Sequence, residues 1–148
     1  MSDELPQAWA DVGLRECVDV LDNIRVPVNL DERAKRQGDV PYYGATGQVG
    51  WIDKFLFDEE LLFIGEDGAP FFDKSKPIAY IIQGKSWVNN HAHLLRPLSG
   101  MPVDYLNISL SYYHFTPLTS GTTGHRKLNQ EALINAPLWI APLPVQQE

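Results

Sequence analysis

Gly84-Lys-Ser-Trp-Val-Asn-Asn-His-Ala-His-Leu-Leu-Arg96 sets how the rest of this chain is read, because it packs donors, acceptors and an aromatic ring into one strand or strand edge. Asn89 and Asn90 each carry an amide that donates and accepts, Lys85 and Arg96 can reach a phosphate, and Trp87 offers a flat apolar surface. A segment of this kind is suited to touch something polar. The competing reading is plainer: His91 and His93, alternating on one strand face, are satisfied core or cross-strand residues.

Outward from that stretch the pattern stays sheet-rich. Eleven prolines and eleven glycines are spread evenly, as expected for many short elements joined by tight turns. Glu16 to Leu21 and Leu61 to Ile64 are compact apolar runs of strand length, and Ile78 to Ile82 is β-branched and aromatic between Pro77 and Gly84. Val49 to Ile52 and Trp87 to Leu95 add two further strands. Helical signals are few. Pro102 sits at a first-turn position before Val103, Leu106, Ile108 and Leu110, and Asn129 is an N-cap for Gln130 to Ile134. A short helix at Asp31 to Gln37 carries Arg33, Lys35 and Arg36, which reads as a solvated face. Pro137, Pro142 and Pro144 keep the tail extended, with Trp139 and Ile140 as a last strand or buried anchor. The expected fold class is therefore α/β: a twisted mixed sheet or partial barrel with a few short flanking helices.

With 148 residues and 44% hydrophobic content, the chain suffices for one domain with a real core. No apolar run approaches the roughly 20 residues that cross a bilayer, and the N-terminus lacks the basic and apolar regions of a signal peptide. The reading is cytoplasmic, with no membrane partner. A single cysteine, Cys17, excludes an internal disulfide and a cysteine-based zinc site, and is read as a small buried residue. The formal charge of -7 is unevenly spread. Residues 1 to 73 hold 16 acidic and 6 basic side chains, whereas residues 74 to 130 hold Lys74, Lys76, Lys85, Arg96, Arg126 and Lys127 against Asp104 alone. Two differently charged faces follow, and the second suits a phosphate backbone.

Several motifs could carry chemistry. Gly44-Ala-Thr-Gly47-Gln-Val-Gly50 has the spacing of some dinucleotide-binding turns, but such a turn needs an apolar strand before it and a helix after it, and here Pro41-Tyr-Tyr precedes and Trp51-Ile-Asp follows. His91-Ala-His93 could place two imidazoles on one face, with Glu66 or Asp67 completing a metal site, yet nothing in the sequence fixes a third ligand. Gly65-Glu-Asp-Gly68 reads more simply as a turn. No nucleophile elbow surrounds Ser111 or Ser120. Catalytic residues, cofactor and metal are all expected to be absent. Gly121-Thr-Thr-Gly-His-Arg-Lys127 differs in kind: a glycine-flexed loop with Thr122, Thr123, His125, Arg126 and Lys127 just before a helix N-cap suits phosphate contact.

Taken together, Pro41-Tyr-Tyr-Gly-Ala-Thr-Gly-Gln-Val-Gly-Trp-Ile-Asp53, Leu61-Leu-Phe-Ile-Gly-Glu-Asp-Gly-Ala69, Lys85-Ser-Trp-Val-Asn-Asn-His-Ala-His93 and Gly121-Thr-Thr-Gly-His-Arg-Lys-Leu-Asn-Gln130 resemble, in order, the target recognition domains of type I restriction-modification specificity subunits. Ala136-Pro-Leu-Trp-Ile-Ala-Pro-Leu-Pro144 extends the set, at the point where the family continues into a spacer helix. The resemblance implies one DNA target recognition domain over residues 1 to 148, without the spacer helix or second domain of the full family pattern. It implies a non-catalytic reader of one half of a bipartite target in double-stranded DNA. A DNA methyltransferase (modification) subunit and a restriction subunit would be its partners, with a dimer or second recognition domain left open. In agreement, neither Asn-Pro-Pro-Tyr nor a complete phosphate-binding Gly-x-x-x-x-Gly-Lys-Ser/Thr loop is present.

The candidate DNA-contacting residues are Thr46, Gln48, Lys85, Trp87, Asn89, Asn90, His91, His93, Thr122, Thr123, His125, Arg126 and Lys127. Asn, Gln, His and Arg would read base edges, while Lys, Ser and Thr would hold the backbone. Two alternatives stand beside this reading: a small nucleotide-binding reductase using Gly44 to Gly50, and a protein-interaction module independent of DNA.

Overall fold

Leu61–Gly65 (β6) is buried at every residue, which places it inside a sheet covered on both faces. The computed structural model of the chain describes residues 10–66, 71, 77–98, 100–111, 113–121 and 126–140. Strand alternation sends Leu61 and Phe63 to one side of β6 and Leu62 and Ile64 to the other, so this one strand feeds two hydrophobic clusters. β6 pairs antiparallel with β7 (Ala79–Ile82) and β9 (Ala92–Pro97), and β2 (Val18–Val20) closes on the far edge of β9.

A second four-stranded sheet has the order β4-β3-β8-β5, formed by Gly47–Ile52, Val40–Gly44, Lys85–Val88 and Phe57–Asp58. Its β3 and β8 run parallel, with Tyr42 opposite Trp87. The two sheets share the cluster of Phe63, Leu94, Phe57 and Val88. Outside the first sheet, Leu62, Ile64 and Leu95 pack with Leu106 and Leu110 of α2 (Val103–Ser111) and Leu133 of α3 (Gln130–Ile134). Outside the second, Val40, Tyr42, Ile52 and Trp87 pack with Val28. A two-stranded ribbon, β1 (Ala10–Gly13) with β10 (Pro137–Ile140), joins the two ends of the described chain. The result is a mixed α/β architecture of several sheets with short helices; no sheet closes into a barrel among the described residues.

Most expected elements stand, with two corrections. The stretch 85–96 is two strands in two different sheets, broken at 89–91 where Asn89 Oδ1 accepts the His91 N–H at 2.9 Å. This is the side-chain turn chemistry of asparagine overriding the strand pattern. Residues 16–21 open with a 3-10 helix, Leu14–Glu16, before the strand begins. The Gly44 to Gly50 motif forms an antiparallel hairpin in which Gly44 lies opposite Gly47, whose φ of 126° is open to glycine. No helix N-terminus follows it to receive a pyrophosphate, which removes the basis of the reductase reading.

The two short helices expected near positions 31 and 130 are present and capped. Asn129 Oδ1 accepts from Ala132 N at 2.8 Å, and Asn29 Oδ1 from Glu32 N at 2.8 Å to start α1 (Leu30–Ala34). The basic side chains of the α1 region are less free than a solvated face suggests: the Arg33 guanidinium lies 4.5 Å over the Tyr42 ring and that of Arg36 lies 4.9 Å over the Trp87 ring. Among the described residues no helix is long and apolar enough to cross a membrane.

Candidate nucleic-acid interface

Three loops meet at one end of the sheets. The β3–β4 hairpin places Thr46 in its turn and Gln48 beside it, both exposed. The β8–β9 turn carries Asn89, Asn90 and His91, with the latter two exposed. Asn89 N donates to Tyr43 O at 3.1 Å, which ties this turn to the hairpin. The third loop is the segment before α3. There Ser120 and Lys127 exchange two backbone hydrogen bonds of 2.9 Å, and Leu128 N donates to Glu66 O at 2.7 Å. Glu66 N in turn donates to His91 O at 2.9 Å, so the end of β6 bridges the second and third loops through its main chain.

Behind these loops lies a set of polar side chains joined within the fold. His93 is fully buried, with Nδ1 2.6 Å from Asp22 Oδ2 and Nε2 hydrogen-bonded to Leu128 O. Asp22 Oδ1 also accepts the Leu94 N–H at 2.9 Å. Arg25 Nη1 donates to Glu66 Oε2 at 2.8 Å and to Ala92 O at 2.7 Å, while Nε donates to Asp22 O at 2.8 Å. Glu66 Oε1 is 4.0 Å from the Lys127 ammonium. These contacts account for carboxylates of the acidic first half: Asp22 and Glu66 serve the interior, Asp53 pairs with Arg36, and Glu59 pairs with Arg96.

The sequence-derived site residues therefore separate into groups. Thr46, Gln48, Asn89, Asn90, His91 and Lys127 lie on the three converging loops. His93 and Trp87 do not present themselves to a ligand, since His93 engages both ring nitrogens internally and Trp87, 7% exposed, donates its indole N–H to Val26 O at 2.8 Å. The flat apolar surface expected of Trp87 is covered because its ring packs against Val40, Tyr42 and Ile52. Lys85 begins β8 at the end remote from Asn89, with its ammonium 5.3 Å from the Phe55 ring, in a cleft of about 480 Å³ shared with Asp39, Asp53 and Lys54. Arg96, at the far end of β9, is held in a paired contact with Glu59 at 2.6 and 2.8 Å. Arg126 turns back on its own loop, donating from Nε to Thr119 Oγ1 at 2.9 Å and from Nη2 to Thr119 O at 2.8 Å. Thr122, Thr123 and His125 lie outside the described residues, as does Asp67.

His91 and His93 do not share a face, and Glu66 is committed to Arg25, so among the described residues the metal constellation is not assembled. Among the described residues no group of three or more metal-ligating side chains comes together. Burial, with a smaller contribution from Glu16, pushes the Cys17 thiol up, away from the reactive thiolate. Arg25, Asp22 and Tyr42, whose hydroxyl bridges Val28 N and Val28 O at 3.1 Å each, are residues the sequence reading did not single out, because apart from the Arg25–Asp22 contact their partners are distant in the chain.

No family model matches the chain. A Haemophilus influenzae (strain ATCC 51907 / DSM 11121 / KW20 / Rd) protein assigned as type I restriction enzyme specificity subunit S.HindORF215P is 31% identical over 138 residues, which is 91% of this chain and 34% of that protein. The chain is homologous to one third of a type I specificity subunit. Solved structures agree on the fold. The S subunit of a type I restriction-modification system from M. genitalium superposes with a TM-score of 0.67 at 14% identity, covering 93% of this chain and 36% of that one. A chain from a structural study of complex assembly and conformational transition in the type I R-M system gives 0.70 at 18% identity, covering 97% and 37%. The HsdS subunit from Thermoanaerobacter tengcongensis gives 0.56 at 16%, covering 97% and 36%. The chain thus spans about a third of the length of the Haemophilus protein and of each of these structures, and the likeness runs through nearly all of its own.

Proposed function

We propose that this chain is a target recognition domain that reads one half of a bipartite sequence in double-stranded DNA for a type I restriction-modification system. The observation that carries the reading is the 31% identity to a specificity subunit across 91% of the chain. The convergence of three polar loops at one end of the sheets supports it. In this reading residues 1 to 148 act as one recognition domain without catalysis of their own, in the cytoplasm, and modification and restriction subunits supply the chemistry. Gln48, Asn89, Asn90 and His91 are the base-edge candidates, Thr46 and Lys127 hold the backbone, and Thr122, Thr123 and His125 keep the roles assigned to them from sequence. Val49 and Trp51, half exposed on β4 with Phe55 beyond it, fit a protein contact within such a complex.

The test is direct titration with duplex DNA of random sequence at low salt. A lone recognition domain binds at micromolar or weaker affinity, and the log-log salt slope falls by about 0.9 for each phosphate contacted. Binding that ignores salt, or no binding at the lowest salt, contradicts the proposal.

A further inference from the structure

We infer that Arg25 and Glu66 form an internal clamp that sets the position of the Asn89 to His91 turn against the segment entering α3, and so act as positioning residues for sequence reading; the second half of this statement rests on the DNA-recognition proposal above. The Arg25 guanidinium reaches three separate pieces of chain. Its Nε holds Asp22 O at 2.8 Å, and its Nη1 holds Ala92 O at 2.7 Å, Glu66 Oε2 at 2.8 Å and, more loosely, Asn90 O at 3.4 Å. Two of those acceptors are the carbonyls on either side of His91. Glu66 then carries the connection onward through its main chain, donating to His91 O and accepting from Leu128 N.

Both side chains are largely shielded, at 14% and 12% exposure, so water competes weakly for the pair. The arrangement demands a planar fork. An ammonium is a compact charge with three rotatable donors, and it cannot bridge acceptors on three segments in the fixed directions a guanidinium provides. None of the atoms that Asn90 and His91 would offer to a base edge is used by the clamp, which takes only their backbone. The turn is therefore fixed through its main chain.

Arg25→Lys, which keeps the charge and removes the fork, is the decisive variant, with Glu66→Gln as a milder second one that retains an acceptor oxygen and the backbone bridge. Amide hydrogen exchange is compared with wild type residue by residue. The clamp predicts that the amides of Glu66, His91 and Leu128 exchange at least tenfold faster in Arg25→Lys and by a smaller factor in Glu66→Gln, while amides in the β6–β7 ladder keep their rates. Wild-type rates at those three amides, or equal acceleration everywhere, overturn the clamp. In parallel, each protein is used to enrich a randomised duplex pool. The positioning role predicts that Arg25→Lys loses preference at one or two positions of the enriched sequence while its affinity for unselected duplex stays within twofold. An unchanged preference alongside faster exchange overturns the positioning role. If wild type enriches no sequence, the DNA reading fails while the exchange rates still judge the clamp itself.

Discussion

The two four-stranded sheets differ less in size than in what covers them. The β2-β9-β6-β7 sheet is packed on both faces, and its central strand shows no exposed residue from Leu61 to Gly65. The β4-β3-β8-β5 sheet is covered on its inner strands but leaves its edge strand β4 open, with Gln48, Val49 and Trp51 exposed. The first sheet is thus a scaffold that tolerates little change. The second is a carrier whose edge and loops can vary without loss of the fold, and the polar loops at its end are where the chain can meet another molecule.

The largest expected effect separates the two sheets outright. Phe63→Ala removes a ring buried between them that touches Tyr43 and Tyr80, with an expected cost of about 4 kcal/mol in chemical denaturation. Trp51→Ala, at 50% exposure on β4, should stay within about 0.5 kcal/mol. Similar losses for both would break the contrast.

Next comes the polar interior that ties scaffold to loops. Asp22→Ala leaves the Leu94 amide without its acceptor and His93 Nδ1 without its partner in a site closed to water, with an expected cost of about 3 kcal/mol. Asp22→Asn, which restores one acceptor oxygen, should recover part of it. A full Asp22→Ala variant melting with wild type would show that the contact does not stabilise the fold.

A smaller effect distinguishes two neighbouring cations. Arg126 is spent on Thr119, so Arg126→Ala should lower stability by about 1 kcal/mol through lost hydrogen bonds. Lys127, 52% exposed and 4.0 Å from Glu66, should instead change the salt slope of DNA binding by about 1 when replaced by Ala, with stability unchanged within about 0.5 kcal/mol. Reversed outcomes in paired melting and titration experiments would exchange their roles.

The smallest effect is a pH dependence at the other end of β9. The Arg96 hydrogen bond holds the Glu59 carboxyl below its ordinary value, against the opposing pull of burial. A carboxylate depressed in the folded state stabilises above its unfolded pKa, and that contribution is lost as pH falls through the folded value. Because both side chains are more than a third exposed, the contribution is at most about 1 kcal/mol. Wild type and Glu59→Gln should differ in melting temperature at pH 7 and converge in acid; a gap that persists below the folded value would contradict this origin.

How much of this was legible in the sequence follows from the range of the interactions. Leu61 to Ile64 announced a buried strand because its neighbours alone decide it, and Asn129 announced a helix start because its cap lies three residues away. The break at 89–91 was not legible, since Asn-Asn-His serves equally at a strand edge or in an asparagine turn. The choice is made by contacts to Tyr43 and Glu66. His93 was open to either reading until Asp22, 71 positions away, took its Nδ1. Arg25 was not singled out, because its Glu66 partner is 41 positions distant and its Asn90 and Ala92 carbonyl partners are 65 and 67 positions distant.

Whether the exposed loops read sequence is decided by enrichment of a randomised duplex pool by wild type, Asn90→Ala and Gln48→Ala, with melting temperatures measured on the same preparations. Wild type should enrich one sequence, and both variants should melt with wild type. At least one variant should relax a single base position by about 1 to 3 kcal/mol of discrimination. No enriched sequence for wild type, or the same sequence at full discrimination in both variants, would contradict sequence reading by these loops.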